Sequence, residues 1–474
     1  MLKSTSTALS LLAATALASC AAVGPNFKSP AAPAITGYAM EGDAAAPGVS
    51  LSPDHRAAGA WWLALGSPEL DKLVRQALAD SPDIALAEAN LRAATADYQS
   101  RVGDQAPKVD LNGSAQRERI NVAAFGFSGF PSPTINLYQV GPSASYDFDL
   151  FGRKRRASEA AKARADAVAR RADAAYLTLT ANVSLQVVRI ATLRAQIASV
   201  TRTTVGDQRV IDMIKQAQNA GGAPRSATSI GEAQLAADLA LIPPLERQLS
   251  EARHQLALLI GKSPAEWSAP DFELASFTVP AEIPATIPSE LIRRRPDILA
   301  AEAAAHAATA DVGVATANLY PNFSISANLT QGAIKPEDLF KYDSSGWSIA
   351  AGLAAPIFHG GALHKQKDRA VAQADAEMAR YRQTVLRAFV QVADALSGLG
   401  TDAKALDAQA RAVATAQANV DDATRAYQLG AGTLLNVFDA QRQLNIALRG
   451  RIESEGQKLT DIIDLFAATA ADWR

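Results

Sequence analysis

The feature that most restricts the fold of this chain is an internal repeat. Residues 82–97 and residues 296–311, 214 positions apart, are identical at 11 of 16 positions, including the Pro-Asp-Ile triplets that begin at Pro82 and Pro296. Self-similarity at a fixed offset indicates a duplicated structural unit. We therefore divide the chain into two homologous halves, residues 61–265 and residues 291–474, joined by a proline-rich connector at residues 266–290.

Each half contains a long alanine-rich run without proline, at Arg156–Gln218 and Lys365–Gln428. A helix of that length would extend roughly 90 to 100 Å, at about 1.5 Å per residue, and would need packing partners along its whole length. Shorter partner helices are predicted over Ser226–Ile260 and Thr433–Ala470. The helical pattern alone fits either a coiled-coil scaffold or a wall of helices that continues from a β-barrel.

Each half also contains two segments in which apolar and polar residues alternate, as in strands with one apolar and one polar face. The predicted strands are residues 107–116, 137–150, 322–330 and 346–355. A soluble antiparallel sheet fits this pattern, and so does a transmembrane barrel with a polar lumen. Four strands cannot close a barrel, and an open sheet edge in lipid leaves backbone groups unsatisfied. A membrane barrel therefore requires several chains, and three chains would supply about twelve strands.

The N-terminus predicts secretion. Residues 1–19 form a signal peptide, with Lys3 followed by a short apolar run. Its end, Leu17-Ala18-Ser19-Cys20, resembles the lipobox of bacterial lipoproteins, and this resemblance implies acylation of Cys20 and anchoring in the outer membrane; the alternative is an ordinary signal cleavage site beside an incidental cysteine. Residues 20–60 are rich in Pro, Gly and Ala, so we expect an extended segment that Trp61 and Trp62 anchor.

Composition argues against several classes of function. The 46 basic and 48 acidic residues give a formal charge of -2, which provides no field for binding nucleic acid. A single cysteine can form neither an intrachain disulfide nor a thiolate zinc site. The sequence has no H-x-x-x-H pair, nucleophile elbow, P-loop or dinucleotide motif. We therefore expect no enzyme, no metal site and no cofactor other than the covalent lipid on Cys20.

Two runs of basic residues each allow two interpretations. Arg153–Arg156 follows a predicted strand at the expected membrane edge, where basic side chains snorkel, or it is a solvated helix start. Arg293–Arg295 is either a solvated face or a group that pairs between helices.

Several motifs in a fixed order resemble TolC-like outer-membrane efflux lipoproteins of the NodT-like subfamily, the outer membrane factors of tripartite efflux systems. They are the lipobox, Gly24-Pro25-Asn26-Phe27, Trp61-Trp62, Asp147-Phe148-Asp149-Leu150-Phe151-Gly152, Arg294-Arg295-Pro296-Asp297-Ile298 and Leu319-Tyr320-Pro321. The resemblance implies a mainly α-helical chain in a homotrimer, with a twelve-stranded barrel in the outer membrane and a twelve-helix periplasmic tunnel. It also implies a periplasmic adaptor protein and an inner-membrane pump of the resistance-nodulation-division (RND) type as partners.

The implied function is passive conduction of small molecules, such as drugs and toxic compounds, from the pump to the outside. Two alternatives stay open at this point. One is the outer-membrane duct of a type I protein secretion system, which uses the same architecture. The other is a non-conducting periplasmic coiled-coil lipoprotein.

The same resemblance places a periplasmic gate at the start of the last predicted helix. Leu435 and Asp439 lie four residues apart, on one helical face, and match the constricting apolar and acidic rings of the family. Asn436 matches a position that is acidic in some relatives, and Arg442 can pair with Asp439 or with a neighbouring helix. An ordinary surface pair near a helix start is the alternative.

The turns before and after these helices are expected at the periplasmic tips, where the adaptor would bind. Gly430 and Gly432 suit a turn that requires positive φ. The corresponding glycines of the first half are Gly221 and Gly222.

Overall fold

The computed structural model describes residues 22–469, apart from residues 32, 34, 36, 44–45, 53–59, 122–123, 125, 127–128, 130 and 281–282. The predicted signal peptide and Cys20 lie outside the described residues. The chain divides into two compact units. The first comprises Met1–Pro30, Asn90–Val168 and Ala301–Tyr381, and the second comprises Ala31–Ala89, Ala169–Ala300 and Arg382–Arg474.

Long helices dominate the part of the chain that is described. In chain order the helices are α1 (Pro68–Asp80), α2 (Pro82–Gly103), α3 (Arg153–Asn219), α4 (Arg225–Leu239), α5 (Ile242–Leu259), α6 (Pro288–Arg294), α7 (Pro296–Ala317), α8 (Ala362–Gln428) and α9 (Leu434–Thr469). The strands are β1 (Val49–Ser52), β2 (Lys108–Arg119), β3 (Thr134–Phe148), β4 (Ile283–Thr286), β5 (Asn322–Ala333) and β6 (Ser345–Ala354).

The first unit contains one antiparallel sheet in the order β2-β3-β5-β6. The register pairs Val109 with Ala144, and Ala327 with both Ala144 and Ile349. The four strands predicted from alternation are therefore present, with ends shifted by up to three residues. β2 and β6 form the two edges, and every residue of β6 is exposed in the chain. Each edge thus leaves a row of backbone groups without a strand partner.

Elements of equal length recur in the two halves of the repeat. α2 and α7 have the same length, and so do β2 and β5; in both pairs the first residues are separated by the offset of the sequence repeat. α3 and α8 are also equally long, but their first residues, Arg153 and Ala362, are separated by slightly less than that offset. The second half is therefore shortened between β5 and α8, in the segments that connect the strands.

Two further strands were not predicted, so the described chain has more than four. β1 pairs in parallel with β4, with Val49 opposite Ile283. They lie in the segments predicted to be an extended leader, residues 20–60, and a connector, residues 266–290. Each strand has only four residues, which is too short for an alternation pattern, and the partners are remote in sequence.

The helix predicted over Ser226–Ile260 is interrupted, and this prediction was wrong. α4 ends at Leu239 and α5 begins at Ile242, with prolines in its first turn. Pro243 and Pro244 have no backbone N–H group, which a continuous helix would need at these positions. They are tolerated in the first turn of α5, because N–H groups there have no partner within the helix. The interruption creates a backbone break at residues 240–241.

Aromatic and charged side chains hold the second unit together. Trp61 stacks on Phe466 with ring centroids 5.6 Å apart, and Trp62 Nε1 donates a hydrogen bond to Asp71 Oδ1 at 2.9 Å. Both tryptophans are buried. Arg295 is also buried, and its guanidinium donates to the backbone oxygen of Ala468 in α9 at 2.9 Å. Arg295 therefore pairs between helices and is not part of a solvated face.

α7 is long and apolar enough, by length and composition alone, to cross a membrane. Its polar side chains nevertheless pair with α3, because Asp311 accepts a hydrogen bond from Arg164 and His306 Nε2 lies 2.9 Å from Glu159. Ala307 and Ala310, which lie between His306 and Asp311 in the sequence, are buried, so part of the apolar composition of α7 belongs to packing within the protein.

Candidate functional site

The first long helix, α3, ends in a glycine turn at the predicted tip. The backbone N–H of Gly222 donates to the oxygen of Ala217 at 2.8 Å, and Gly221 has a φ of 80°. This is the Schellman pattern, in which a left-handed residue reverses the chain and satisfies carbonyls at the helix end. A side chain at Gly221 would be strained in that conformation.

The second long helix, α8, ends in the same way. Ala431 N–H donates to the oxygen of Ala426 at 2.9 Å, and Gly430 has a φ of 75°. Positive φ was also expected at Gly432, and that expectation was wrong, since Gly432 is not among the left-handed residues. Its role is close packing, because an added Cβ would lie 3.1 Å from Ala426 Cβ. The two tips are thus built by equivalent turns.

α9 begins with a side-chain cap that uses one of the predicted gate residues. The N–H of Asn436 donates to Thr433 Oγ1 at 3.4 Å, and the Thr433 hydroxyl donates to Asn436 Oδ1 at 3.0 Å. Such caps satisfy N–H groups that have no partner in the first turn. Asn436 therefore helps to position the turn from which the other gate residues project.

The predicted gate residues share the exposed face of α9. Leu435 is 49% exposed, and the Asp439 carboxylate lies 3.5 Å from the Arg442 guanidinium, so the pairing expected from their spacing is made within the helix. Ile446, also 49% exposed, extends the same face by one turn and was not singled out from the sequence. The spacing 435, 439, 442, 446 is that of one helical face and could have identified it.

The opposite face of α9 packs against the end of α3. Phe438 is 4% exposed and forms an apolar cluster with Val210 and Ile214 of α3. Partly buried apolar residues complete the cluster: Ala223, Ala227 and Leu434. This packing joins the two tips and fixes the rotation of α9, so that Leu435 and Asp439 stay exposed while Phe438 is buried.

A cavity of about 320 Å³ opens beside this cluster, between the two tips. Apolar side chains supply most of its lining, and Gly222 contributes from the first tip. Ile230 and Leu435 line it as exposed apolar residues, together with Pro224 and Tyr427. The tips therefore present an apolar, concave surface.

The junction between β3 and α3 is held by Asp149. Its two carboxylate oxygens accept hydrogen bonds from the backbone N–H groups of Lys154 and Arg155, both at 2.9 Å. The carboxylate also complements the positive end of the α3 dipole. Phe151 stacks on Tyr320 at 4.7 Å. These contacts account for Asp149 and Phe151 of the motif at 147–152.

The N-terminal segment is clamped to the start of α3 by Arg156. This side chain is buried and donates to Asn26 Oδ1 at 2.6 Å and to Glu159 Oε2 at 2.8 Å. His306, which contacts Glu159, stacks on Phe27 at 4.7 Å. Burial alone would raise the pKa of Glu159, but the hydrogen bonds from His306 and Arg156 lower it below its usual value. Arg156 is thus neither a snorkelling residue nor a solvated one.

The family follows from comparison with known proteins. A model of the outer membrane efflux protein family matches residues 73–262 and again residues 287–471. The chain belongs to this family. The two matched stretches correspond closely to the two halves of the repeat.

Individual proteins with efflux and export functions are similar to this chain over most of their length. This chain is 31% identical over 418 residues to the pyoverdine export outer membrane protein OpmQ of Pseudomonas aeruginosa, and the match covers 87% of both chains. It is 29% identical over 457 residues to the probable efflux pump outer membrane protein TtgC of Pseudomonas putida, covering 95% of this chain and 92% of the relative.

Solved structures agree as well. The outer-membrane channel OprN matches with a TM-score of 0.86 and 27% identity, covering 95% of this chain and 99% of that chain. The open state of the MtrE channel of Neisseria gonorrhoeae matches with a TM-score of 0.80 and 26% identity, covering 96% and 99%. The relatives are channel and efflux proteins. This protein is therefore an outer-membrane exit duct of an efflux system, as predicted.

Proposed function

We propose that the protein works as a homotrimer that conducts small molecules passively through a shared twelve-stranded barrel and a twelve-helix periplasmic tunnel. The unpaired edges of β2 and β6 carry this proposal. A four-stranded sheet with open edges cannot lie stably in lipid, because each unsatisfied backbone group costs several kcal/mol there. Pairing β2 of one subunit with β6 of the next would remove all edges.

The partners in this proposal are a periplasmic adaptor protein and an RND-type inner-membrane pump that supplies the energy. The cavity of about 320 Å³ and the glycine turns at Gly221, Gly222, Gly430 and Gly432 are the surface we assign to the adaptor. Relatives are named for export of pyoverdine and for efflux of toluene and antibiotics. This favours small-molecule cargo over the proteins of a type I secretion duct.

We further propose that Cys20 carries a lipid and that the protein needs no other cofactor. Ala22 packs against Gly152 at the β3–α3 junction, since an added Cβ on Gly152 would collide with Ala22. Only one residue separates Cys20 from Ala22 in the sequence. Acyl chains on Cys20 would start close to the end of the membrane strands. Metabolic labelling with palmitate tests this, with Cys20→Ala as the unlabelled control.

Cross-linking between subunits tests the trimer. Asn112→Cys in β2 is combined in turn with single cysteines at residues 346–352 of β6, all exposed in the chain. We expect oxidation to give covalent trimers for cysteines in register, and none when Asn112→Cys is combined with Lys365→Cys in α8. A folded protein that stays monomeric in detergent and never cross-links would refute the proposal.

A further inference from the structure

Asp207 of α3 and Asp238 of α4, both in the second unit, have carboxyl groups within hydrogen-bonding reach of each other. Asp207 is 1% exposed and Asp238 is 9% exposed. Asp207 Oδ2 is buried and has no hydrogen-bond donor, whereas Asp238 Oδ2 accepts from Gln234 Nε2 at 2.9 Å. Two ionised carboxylates can only accept hydrogen bonds. A proton held between them would supply the missing donor and remove their repulsion.

The charged groups nearby do not neutralise this pair. On α4, Glu232 is bound to Lys215 of α3 at 2.9 Å, and on α9, Arg442 is bound to Asp439. The α9 groups beside this turn of α3 are neutral: Gln441 lies next to Gly206, and Asn445 accepts from Thr203. The remaining charged residues along these stretches are exposed: Arg202, Arg209 and Asp212 of α3 and Arg225 of α4. Among the described ion pairs, none involves Asp207 or Asp238.

Asp238 lies at the end of α4, beside the break, where its contact with Asp207 can control the position of that end. It is the penultimate residue of α4, and its backbone oxygen accepts from Leu241 N–H at 3.1 Å across the break before α5. The other end of α4 is held firmly. Thr228 donates to Gln218 at 2.9 Å, and an added Cβ on Gly231 would lie 3.0 Å from Phe438. α4 is therefore fastened at the tip, and the carboxyl pair joins it to α3 near the break.

We propose that Asp207 and Asp238 form a proton-dependent latch: a shared proton holds the end of α4 against α3, and loss of that proton releases this end at the α4–α5 break. The inference concerns the packing of these helices and holds whether or not the protein conducts. Burial, and then the neighbouring Asp238, raise the pKa of Asp207 from 3.8 to about 7. The ionised fraction of such a group rises from about 0.1 at pH 6 to about 0.9 at pH 8.

Distance measurements between spin labels test the latch in the full-length protein. Labels are attached to cysteines at Gln208 in α3 and Ala237 in α4, both exposed, and labelled chains are diluted with unlabelled ones to isolate distances within one chain. We expect the population with the longer distance to rise about tenfold between pH 6 and pH 8, with a midpoint near 7. Labels at Gln216 and Ala233, near the tip, should report the same distance at both pH values.

Neutral variants identify the groups responsible. Asp238→Asn can donate a hydrogen bond to Asp207 without a proton, so the distance should stay short at both pH values. Asp212→Asn, an exposed carboxyl of the same helix, should respond to pH as the wild type does. An unchanged wild-type distance between pH 6 and pH 8 would overturn the latch, as would a full response in Asp238→Asn. Should Asp238→Asn fail to fold, Asp207→Asn replaces it, and the wild-type titration already decides the central point.

Discussion

The carboxylate of Asp439 lies 3.5 Å from the guanidinium of Arg442, one turn apart on the exposed face of α9. Both side chains are more than half exposed, and an ion pair of that kind contributes only about 0 to 1 kcal/mol to stability. The main effect of the ion pair is electrostatic, because the positive charge of Arg442 offsets the negative charge of Asp439. In a trimer this would tune the field at the proposed constriction.

Removing Arg442 should therefore change ion selectivity more than stability. In Arg442→Ala the Asp439 carboxylate is no longer neutralised, so we expect higher cation selectivity with an unchanged melting temperature. Reversal potentials across a salt gradient measure the effect. Arg451→Ala is the matched control, because Arg451 forms a similar exposed pair with Glu455 elsewhere on α9. Equal selectivity in the wild type and Arg442→Ala would argue against a constriction at this face.

Asp402 should make stability depend on pH. It is 7% exposed, and burial, together with Asp461, raises its pKa from 3.8 to about 6. Because the folded pKa lies above the usual value, the stability that bound protons supply is lost as pH rises from about 4 to above 6. We expect Asp402→Asn to raise stability at pH 8 by roughly 1 to 3 kcal/mol and to change little at pH 4. Thermal denaturation at the two pH values measures this.

The control for that experiment is Asp407→Asn. Asp407 lies on the same helix, is exposed and is paired with Arg411, so its neutralisation should not stabilise the protein at either pH. A gain of equal size at pH 4 and pH 8 in Asp402→Asn would show that the substitution acts through packing and not through ionisation.

Arg156→Ala should release the N-terminal segment from α3. The substitution removes the hydrogen bonds to Asn26 and to the backbone oxygen of Val23, and hydrogen bonds to a charged group contribute about 1.5 to 3 kcal/mol each. We expect trypsin to cleave after Lys28, an exposed residue of this segment, at least about tenfold faster. Arg164 lies on the same helix as Arg156, and Arg164→Ala loses only an exposed pair with Asp311 of α7, so the cleavage rate should not change in that variant.

Phe438→Ala should loosen both tips. Phe438 is nearly fully buried against Val210 and Ile214, and truncation of a buried phenylalanine typically costs about 3 to 5 kcal/mol. Hydrogen exchange of the end of α3 and the start of α9 should therefore become faster. Leu435→Ala, three residues earlier and half exposed, should leave that exchange unchanged, and similar acceleration in both variants would contradict the packing described here.

Local patterns predicted the long elements well. α3 and α8 begin within three residues of the proline-free runs predicted from the sequence and end within one, because proline and glycine limit such helices so strongly. The strands with alternating apolar and polar residues were predicted equally well. The break before α5 was missed because Pro243 and Pro244 lie where a helix can tolerate proline, in a first turn.

Features made by residues remote in sequence were not predictable in this way. Nothing near Asp207 in the sequence marks it as the partner of Asp238, and Arg156 looks like one of four similar basic residues until Asn26 and Glu159 are seen beside it. The pairing of β1 with β4 also joins residues remote in sequence, so local patterns could not predict it. By contrast, Asp439 and Arg442 are neighbours on one helix, so their pairing followed from spacing alone.

Single-channel conductance in planar bilayers shows whether the protein forms a gated trimeric duct. Purified wild-type protein is compared with the double variant Leu435→Ala and Asp439→Ala, which removes the proposed apolar and acidic constriction. We expect a small, cation-selective current in the wild type that becomes larger and less selective in the double variant. Folded protein that conducts in neither form would contradict the duct, and a wide wild-type channel that the two substitutions leave unchanged would contradict the gate.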